Sequence, residues 1–206
     1  MSRFPSFADS PAQRVGGSLA LDFVNTVELR GDPAARGERL TDYGELGHWL
    51  AQAGLLDRIE LRALLAEAAR RPRDAARVLD EARALREAIA RLADGGGRGR
   101  RADLARLNRA LGPAARLVAA GPGFVWEGEG DALAAPLAAV AREAAALLAS
   151  DRHGRVRHCA DPRCGWLFLD SGRGPGRRWC SMAGCGNRAK ARRHHRRKGA
   201  VRPARP

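Results

Sequence analysis

All four cysteines of this chain follow residue 158, in two pairs that each enclose four residues. The first pair, Cys159 and Cys164, is in CADPRC, and the second, Cys180 and Cys185, is in CSMAGC. Zinc in structural sites is held by four ligands at tetrahedral corners, and a tight turn between paired cysteines supplies two of them. The spacing therefore predicts a structural Zn²⁺ site in which all four positions are filled by thiolates.

Disulfides, a redox pair and an iron–sulfur cluster are the other chemistries open to four cysteines. Disulfides belong to oxidising compartments, but MSRFPSFADSPAQRVGG at the start of the chain lacks the apolar region of an export signal. Redox pairs usually have the spacing C-x-x-C, and iron–sulfur clusters typically have tighter spacings than these. The pattern thus favours zinc, and we expect a cytoplasmic protein.

The residues after the first cysteine pair predict the architecture of the metal-binding module. GWLFLD (165–170) alternates aromatic residues with leucines, as a short strand does. SGRGPG (171–176) would turn the chain, RRWC (177–180) would return as a second strand, and a helix would begin near Gly186. A cysteine turn, a hairpin, a second cysteine turn and a helix, in this order, form a treble-clef zinc finger.

Positive charge is concentrated in the same part of the chain. Residues 151–206 contain 16 of the 37 Lys and Arg residues but only 3 of the 23 Asp and Glu, and the net charge of the whole chain is +14. Coding bias toward arginine would spread cations along the chain, but it would not remove acidic residues from one segment. The asymmetry indicates a polyanionic partner for the C-terminal part.

GNRAKARRHHRRK (186–198) predicts a basic helix with almost no apolar face. Cations four residues apart repel each other on a helix, so the phosphates of a nucleic acid would stabilise it. We predict binding to double-stranded DNA, with Asn187 and Arg188 at base edges because they begin the helix. The other predicted DNA contacts are basic residues of the same helix: Lys190, Arg192, Arg193, Arg196 and Arg197.

Other interpretations of the basic helix remain open. A zinc ion bound by four thiolates has a net charge of −2, so Arg177, Arg178 and Arg188 could neutralise the metal site instead of binding DNA. Anionic lipid is a poor fit because the helix lacks the apolar face of an interfacial helix, and we expect no membrane association. The alternative functions are an RNA- or ribosome-associated protein and a metal-dependent nuclease. The few acidic residues near the cysteines disfavour the nuclease, and we expect no enzyme.

The first 150 residues predict a helical domain with a few short strands. Segments with helical spacing are 41–54, 57–71, 72–93, 102–112 and 131–150. LVAAGPGFVWEGEG (117–130) predicts a β-hairpin around Gly121. The expected fold class is mainly α (α+β): a helical domain over 15–150, a small treble-clef-like finger over 151–198 and a disordered tail over 199–206.

Three polar residues, Asp22, Asn25 and Thr26, stand in the apolar segment GGSLALDFVNT (16–26). They could line a pocket for a small-molecule effector, as a sensor domain requires. Asp, Asn and Thr are also the usual residues of caps and turns, and this structural interpretation is favoured. The domain could instead form a homodimer, so that two fingers read two half-sites.

The C-terminal segment resembles the CGNR zinc finger, named for the tetrapeptide found here at 185–188. The resemblance covers residues 155–198 and includes Phe168, Asp170 and the segment RRWCSM (177–182). It implies that the four cysteines bind zinc, in agreement with their spacing.

The N-terminal part, over about 15–145, resembles the ABATE domain that commonly precedes this finger. The residues that carry this resemblance are GGSLALDFVNT (16–26) and HWLAQAGLL (48–56). Together the two resemblances imply a stress-induced bacterial transcription regulator.

Overall fold

The structure is a computed structural model that describes residues 4–95, 100–112, 116–121, 123–127, 131–172 and 176–200. Within these ranges the chain is mainly helical, with a few short strands in antiparallel pairs. The predicted fold class, mainly α (α+β) with a small C-terminal zinc finger, is confirmed. In the described part of the chain, no helix has the length and apolar character needed to cross a membrane.

The helices, in chain order, are α1 (Leu19–Val24), α2 (Tyr43–Gln52), α3 (Arg58–Arg70), α4 (Pro72–Ala93), α5 (Arg100–Ala110), α6 (Ala135–Leu148) and α7 (Asn187–Ala200). The strand pairs are β1 (Val27–Glu28) with β2 (Gly37–Glu38), β3 (Arg116–Ala120) with β4 (Gly123–Glu127), and β5 (Val156–His158) with β6 (Leu167–Leu169). A short 3₁₀ helix, Asp151–Arg155, precedes β5, and a π-helical turn, Met182–Gly186, precedes α7.

Local sequence signals determine where several elements begin. The capping box of Asp57 and Glu60 is present at the start of α3. α2 begins after its N-cap Asp42, whose side chain accepts the N–H of Glu45. The predicted hairpin over 117–130 is confirmed by the antiparallel pairing of β3 and β4.

The hydrophobic core lies between α1, α2, α4 and α6. The ring of Phe23 on α1 is 5.0 Å from the ring of Trp49 on α2, centroid to centroid. The apolar stripe of α4 faces this core, as its spacing predicts, through Val78, Ala82, Leu85, Ile89 and Leu92. Each fully buried aliphatic side chain contributes about 1.5–3 kcal/mol to the free energy of folding, so the packing of these helices stabilises the fold.

Strand β6 joins this helical core to a second, smaller core. Leu167 and Leu169 are buried in the helical core. Phe168 and the preceding Trp166 are buried with the four cysteines instead. Successive side chains of a strand point to opposite faces, so a single strand contributes to both cores. The finger and the helical domain therefore share a structural element.

The prediction that residues 177–180 form a returning strand is wrong. β6 pairs with β5, with Val156 opposite Leu169, and residues 177–180 form no strand. The first cysteine turn lies between β5 and β6, so bringing Cys159 and Cys164 to one centre sets the two strands side by side. Residues 177–180 join this unit through a hydrogen bond from the Ala160 N–H to the Arg178 carbonyl, at 2.8 Å.

The tail predicted over 199–206 begins inside the last helix, because α7 continues to Ala200. Residues 201–206 lie outside the described residues.

Candidate metal centre and nucleic-acid interface

The four cysteines converge at one point in the structure. Their side chains are buried as free thiols, and their Sγ atoms all lie within 4.8 Å of one another. The Sγ of Cys180 is 3.7 Å from that of Cys164 and 3.5 Å from that of Cys185. Zinc–sulfur bonds of about 2.3 Å at tetrahedral angles place the sulfurs about 3.8 Å apart. The cluster therefore has the size and the donor set of a structural zinc site.

Two backbone turns hold the cysteine pairs in place. In the first pair, the Cys159 N–H donates to the Trp166 carbonyl and the Cys164 N–H donates to the Asp161 carbonyl, both at 2.9 Å. In the second pair, Ser181 caps the π-helical turn by accepting the N–H of Gly184. These bonds define the two turns from which the thiols converge.

Gly186, the last residue before α7, packs closely against Met182 and Trp179. A Cβ at this position would lie 2.8 Å from the Met182 sulfur and 3.4 Å from a ring carbon of Trp179. Because Met182 is exposed, its side chain could move aside, so the glycine of the CGNR segment allows close packing here without being strictly required.

Arg188, which we predicted at a base edge of DNA, points toward the metal centre. Its Nη2 donates to the Cys185 Sγ at 2.8 Å, and its Nε donates to the Asp161 carboxylate at 3.2 Å. The Arg192 guanidinium is 3.4 Å from the other oxygen of this carboxylate. Asp161 is only 1 % exposed, so it clamps α7 to the first cysteine turn. Arg188 and Arg192 thus bond within the finger while their side chains remain exposed, and their predicted DNA contacts stay predictions.

The positive charge of Arg188 lies beside the negative charge of the metal centre. Burial lowers the pKa of the Arg188 guanidinium, but the charge at Cys185 and the hydrogen bond with Asp161 raise it above its ordinary value. The arginine therefore stays charged and offsets part of the negative charge of the thiolates.

The other predicted contacts lie elsewhere on α7. On a helix of 3.6 residues per turn, Lys190 and Arg193 lie away from Arg188 and Arg192, and the side chain of Arg197 lies outside the described residues. The side chains of Lys190, Arg193 and the neighbouring Arg196 are exposed. Asn187, also exposed, donates from its side-chain amide to the Ala183 carbonyl at 3.2 Å, beside the start of the helix.

Asn25 connects the helical domain to the finger. Its side-chain Oδ1 accepts the Leu167 N–H at 3.0 Å, and its Nδ2 donates to the Leu167 carbonyl at 2.8 Å. The amide thus pairs with β6 as a neighbouring strand would. Both partners are buried, so these two hydrogen bonds cannot be exchanged for water without cost.

Asp22 and Thr26 are also buried and bonded within the chain. The Asp22 carboxylate accepts the Gly16 N–H at 2.8 Å, and burial raises the pKa of this carboxyl. The Thr26 hydroxyl donates to the Phe23 carbonyl at 2.8 Å and accepts from Arg86 at 3.1 Å. With Asn25 engaged on β6, the contacts of all three residues support the structural interpretation rather than an effector pocket.

Several contacts between the helical domain and the finger were missed by sequence reasoning. The Trp166 indole N–H donates to the Val27 carbonyl at 2.8 Å, across 139 positions of sequence. A Cβ on Gly31 would lie 2.1 Å from the Pro162 carbonyl oxygen, so the two backbones touch directly. The local sequence signal of this close approach is the glycine itself, Gly31. Ordinary turns also contain glycine, so the signal did not identify the contact.

Replacing Asp161 with Asn is expected to loosen α7 from the first cysteine turn. The amide keeps the shape but loses the charge that binds Arg188 and Arg192, and we expect zinc affinity to fall on the order of tenfold. Competition with a colorimetric chelator measures this loss. Asp151→Asn is the matched control because it removes an exposed carboxylate upstream of the finger. Equal zinc affinities of the Asp161→Asn and wild-type proteins would contradict the clamp.

Comparison with models of known families finds two matches. Residues 17–151 match ABATE, described as a "putative stress-induced transcription regulator", and residues 155–198 match the CGNR zinc finger. No curated protein matches the chain. The finger match and the cluster of four thiols together confirm the prediction of Zn²⁺ as cofactor.

Proposed function

This chain belongs to the ABATE family, and we propose that it is a stress-induced transcription regulator that binds double-stranded DNA through α7. Zinc would hold the finger that presents this helix. The observation that carries the proposal is the exposed basic side of α7, opposite the side clamped by Asp161. We further propose that the protein acts by binding alone, without catalysis, and a plasmid-nicking assay with added Mg²⁺ or Mn²⁺ checks this.

The composition of α7 supports a polyanion as its partner. The helix contains seven Lys and Arg residues and no acidic residue. Asp161 engages Arg188 and Arg192, whereas Lys190 and Arg193 have no ion pair among the described residues. DNA phosphates would supply the missing negative charge, and the release of condensed counterions would drive binding.

The junction between the domains supports a regulatory arrangement. Asn25 and the leucines of β6 tie the finger to the helical core, so the orientation of α7 depends on that core. A change in the helical domain, through an effector or through pairing with a second copy, would then reach the DNA-binding helix by direct contact.

Removing two charges from the exposed side of α7 tests this proposal. We expect Lys190→Ala/Arg193→Ala to weaken binding to duplex DNA on the order of tenfold at low salt, because phosphate contacts are lost. Fluorescence anisotropy with a labelled duplex measures the affinity. The matched control, Arg58→Ala/Arg62→Ala, removes two exposed charges from α3 and should bind as the wild type does.

Two results would contradict the proposal. One is equal affinity of the Lys190→Ala/Arg193→Ala and wild-type proteins for the duplex. The other is displacement of the duplex by structured RNA at much lower concentration than by unlabelled DNA, which would favour an RNA partner.

A further inference from the structure

Three arginines around the finger, outside α7, bond to backbone carbonyls, whereas Arg163 of the finger pairs with Asp32 at 2.7 Å. In the helical domain, Arg86 is 2.5 Å from the Glu38 carboxylate and Arg91 is 2.6 Å from that of Asp103. Around the finger, Arg152, Arg155 and Arg177 donate to backbone carbonyls instead. A carbonyl orients a guanidinium but does not cancel its charge, and Arg152 and Arg155 have no ion pair among the described residues. Arg177 also donates to the Cys180 carbonyl, so it lies nearer the negative charge of the metal centre.

Two of these arginines bond to the same short segment. Arg177 donates to the Val15 carbonyl at 3.2 Å and Arg152 donates to the Gly17 carbonyl at 3.3 Å. The two accepting carbonyls belong to residues only two positions apart, so both side chains lie along the segment that precedes α1. The third, Arg155, donates to the Gly172 carbonyl at 3.0 Å, just beyond β6.

This group of arginines continues to the start of α7. The Arg177 guanidinium lies over the Phe168 ring, 4.5 Å from its centroid. Next to it, Arg178 lies over the Trp179 ring at 5.4 Å. That ring in turn packs against Gly186, the last residue before α7. Arg152, Arg155, Arg177 and Arg178 form what we name the arginine band.

The acidic groups at the band are fewer than its arginines. Asp170 accepts the backbone N–H groups of Gly172 and Arg177, both at 3.3 Å, which hold its carboxylate in the loop without cancelling its charge. Asp22 is buried and faces Arg14 at 3.9 Å. Asp151 is exposed at the start of the 3₁₀ helix, so Asp151 and Asp170 set two negative charges against the four arginines of the band.

We propose that the arginine band binds the phosphate backbone of the same DNA duplex that α7 binds. This inference rests on the proposed function. Exposed guanidinium groups match phosphates as paired donors, and the band holds them in place through carbonyl bonds and ring contacts. Arg152 and Arg155 each use one of their five donors on a carbonyl, which leaves donors for phosphate oxygens. The surface that contacts DNA therefore extends from α7 across the β5–β6 hairpin.

The salt dependence of binding tests the band. Each phosphate contact contributes about one unit to the slope of log K against log salt, so Arg152→Gln/Arg155→Gln should lower that slope by about 2. Glutamine retains an amide donor for the carbonyls while removing the charge. Arg152→Lys/Arg155→Lys should restore the slope, and Arg58→Gln/Arg62→Gln should leave it unchanged. Thermal melting verifies that each variant is folded before binding is measured.

The outcomes separate this inference from the proposed function. If Arg152→Gln/Arg155→Gln keeps the wild-type slope while Lys190→Ala/Arg193→Ala binds more weakly, the inference about the arginine band is wrong. The proposed function then still holds. A slope that falls only with structured RNA as ligand also overturns it, because the partner would then be of another class. Failure of the wild-type protein to bind duplex DNA at low salt overturns the proposed function and the band with it.

Discussion

Removal of zinc is expected to unfold the finger and, with it, to destabilise the helical domain. Structural zinc sites contribute about 10–16 kcal/mol of apparent binding free energy to the folding of small fingers. Without the metal, nothing holds Cys159 and Cys164 at one centre, and the β5–β6 hairpin loses its closure. Leu167 and Leu169 then leave the helical core, in which both are buried.

The effect on the helical domain is expected to be large. Loss of two buried leucines from a core costs on the order of 5 kcal/mol, which corresponds to a fall in Tm on the order of 10–20 °C for a chain of this size. Melting followed by circular dichroism, with and without a zinc chelator, measures the fall. Cys180→Ser should reproduce it without a chelator, and excess zinc added after chelation should reverse it.

Hydrogen exchange identifies which part of the chain responds. Peptides from α1 and α6 should lose protection when zinc is removed, because both helices pack in the core that β6 completes. Unchanged protection of these peptides, with loss confined to residues 155–198, would show that the helical domain folds independently of the finger.

Asn25→Ala is expected to have the second largest effect. The substitution leaves the N–H and the carbonyl of Leu167 buried without partners, at a cost of about 1–3 kcal/mol each. We therefore expect the free energy of unfolding to fall by about 2–6 kcal/mol in the zinc-bound protein. Urea denaturation measures it, and Asn108→Ala, at an exposed position of α5, is the matched control.

The same variant measures the coupling between the domains. In the zinc-free protein the finger is expected to be unfolded, so Asn25→Ala should then cost little. By linkage, the stability lost in the zinc-bound form should appear as an equal loss of zinc-binding free energy. An equal cost with and without zinc would mean that Asn25 stabilises the helical domain by itself.

The sequence predicted those features that depend on local pattern. The spacing of the cysteines predicted their convergence, and the alternation in 165–170 predicted a strand with two different faces. The helical spacing over 57–71 and 72–93 predicted two helices because this signal acts within one or two turns.

The features that sequence reasoning missed depend on contacts between distant residues. Asn25 is 142 positions from Leu167, and an asparagine at the end of a short apolar segment has the same local signature as a cap. Arg188 begins a basic helix, and its orientation is decided by Asp161, which lies on another element. β6 pairs with β5 because the metal centre brings the first cysteine pair together. The turn residues over 171–176 gave no indication of this pairing.

The central claim is that zinc holds the finger so that α7 is presented to DNA, and one titration tests it directly. The intact protein is titrated onto duplex DNA across a salt series, before chelation, after chelation and after zinc is restored. We expect binding that weakens as salt rises, collapses on chelation and returns with zinc. Binding that is indifferent to chelation would contradict the claim, since the basic helix would then bind DNA without the finger.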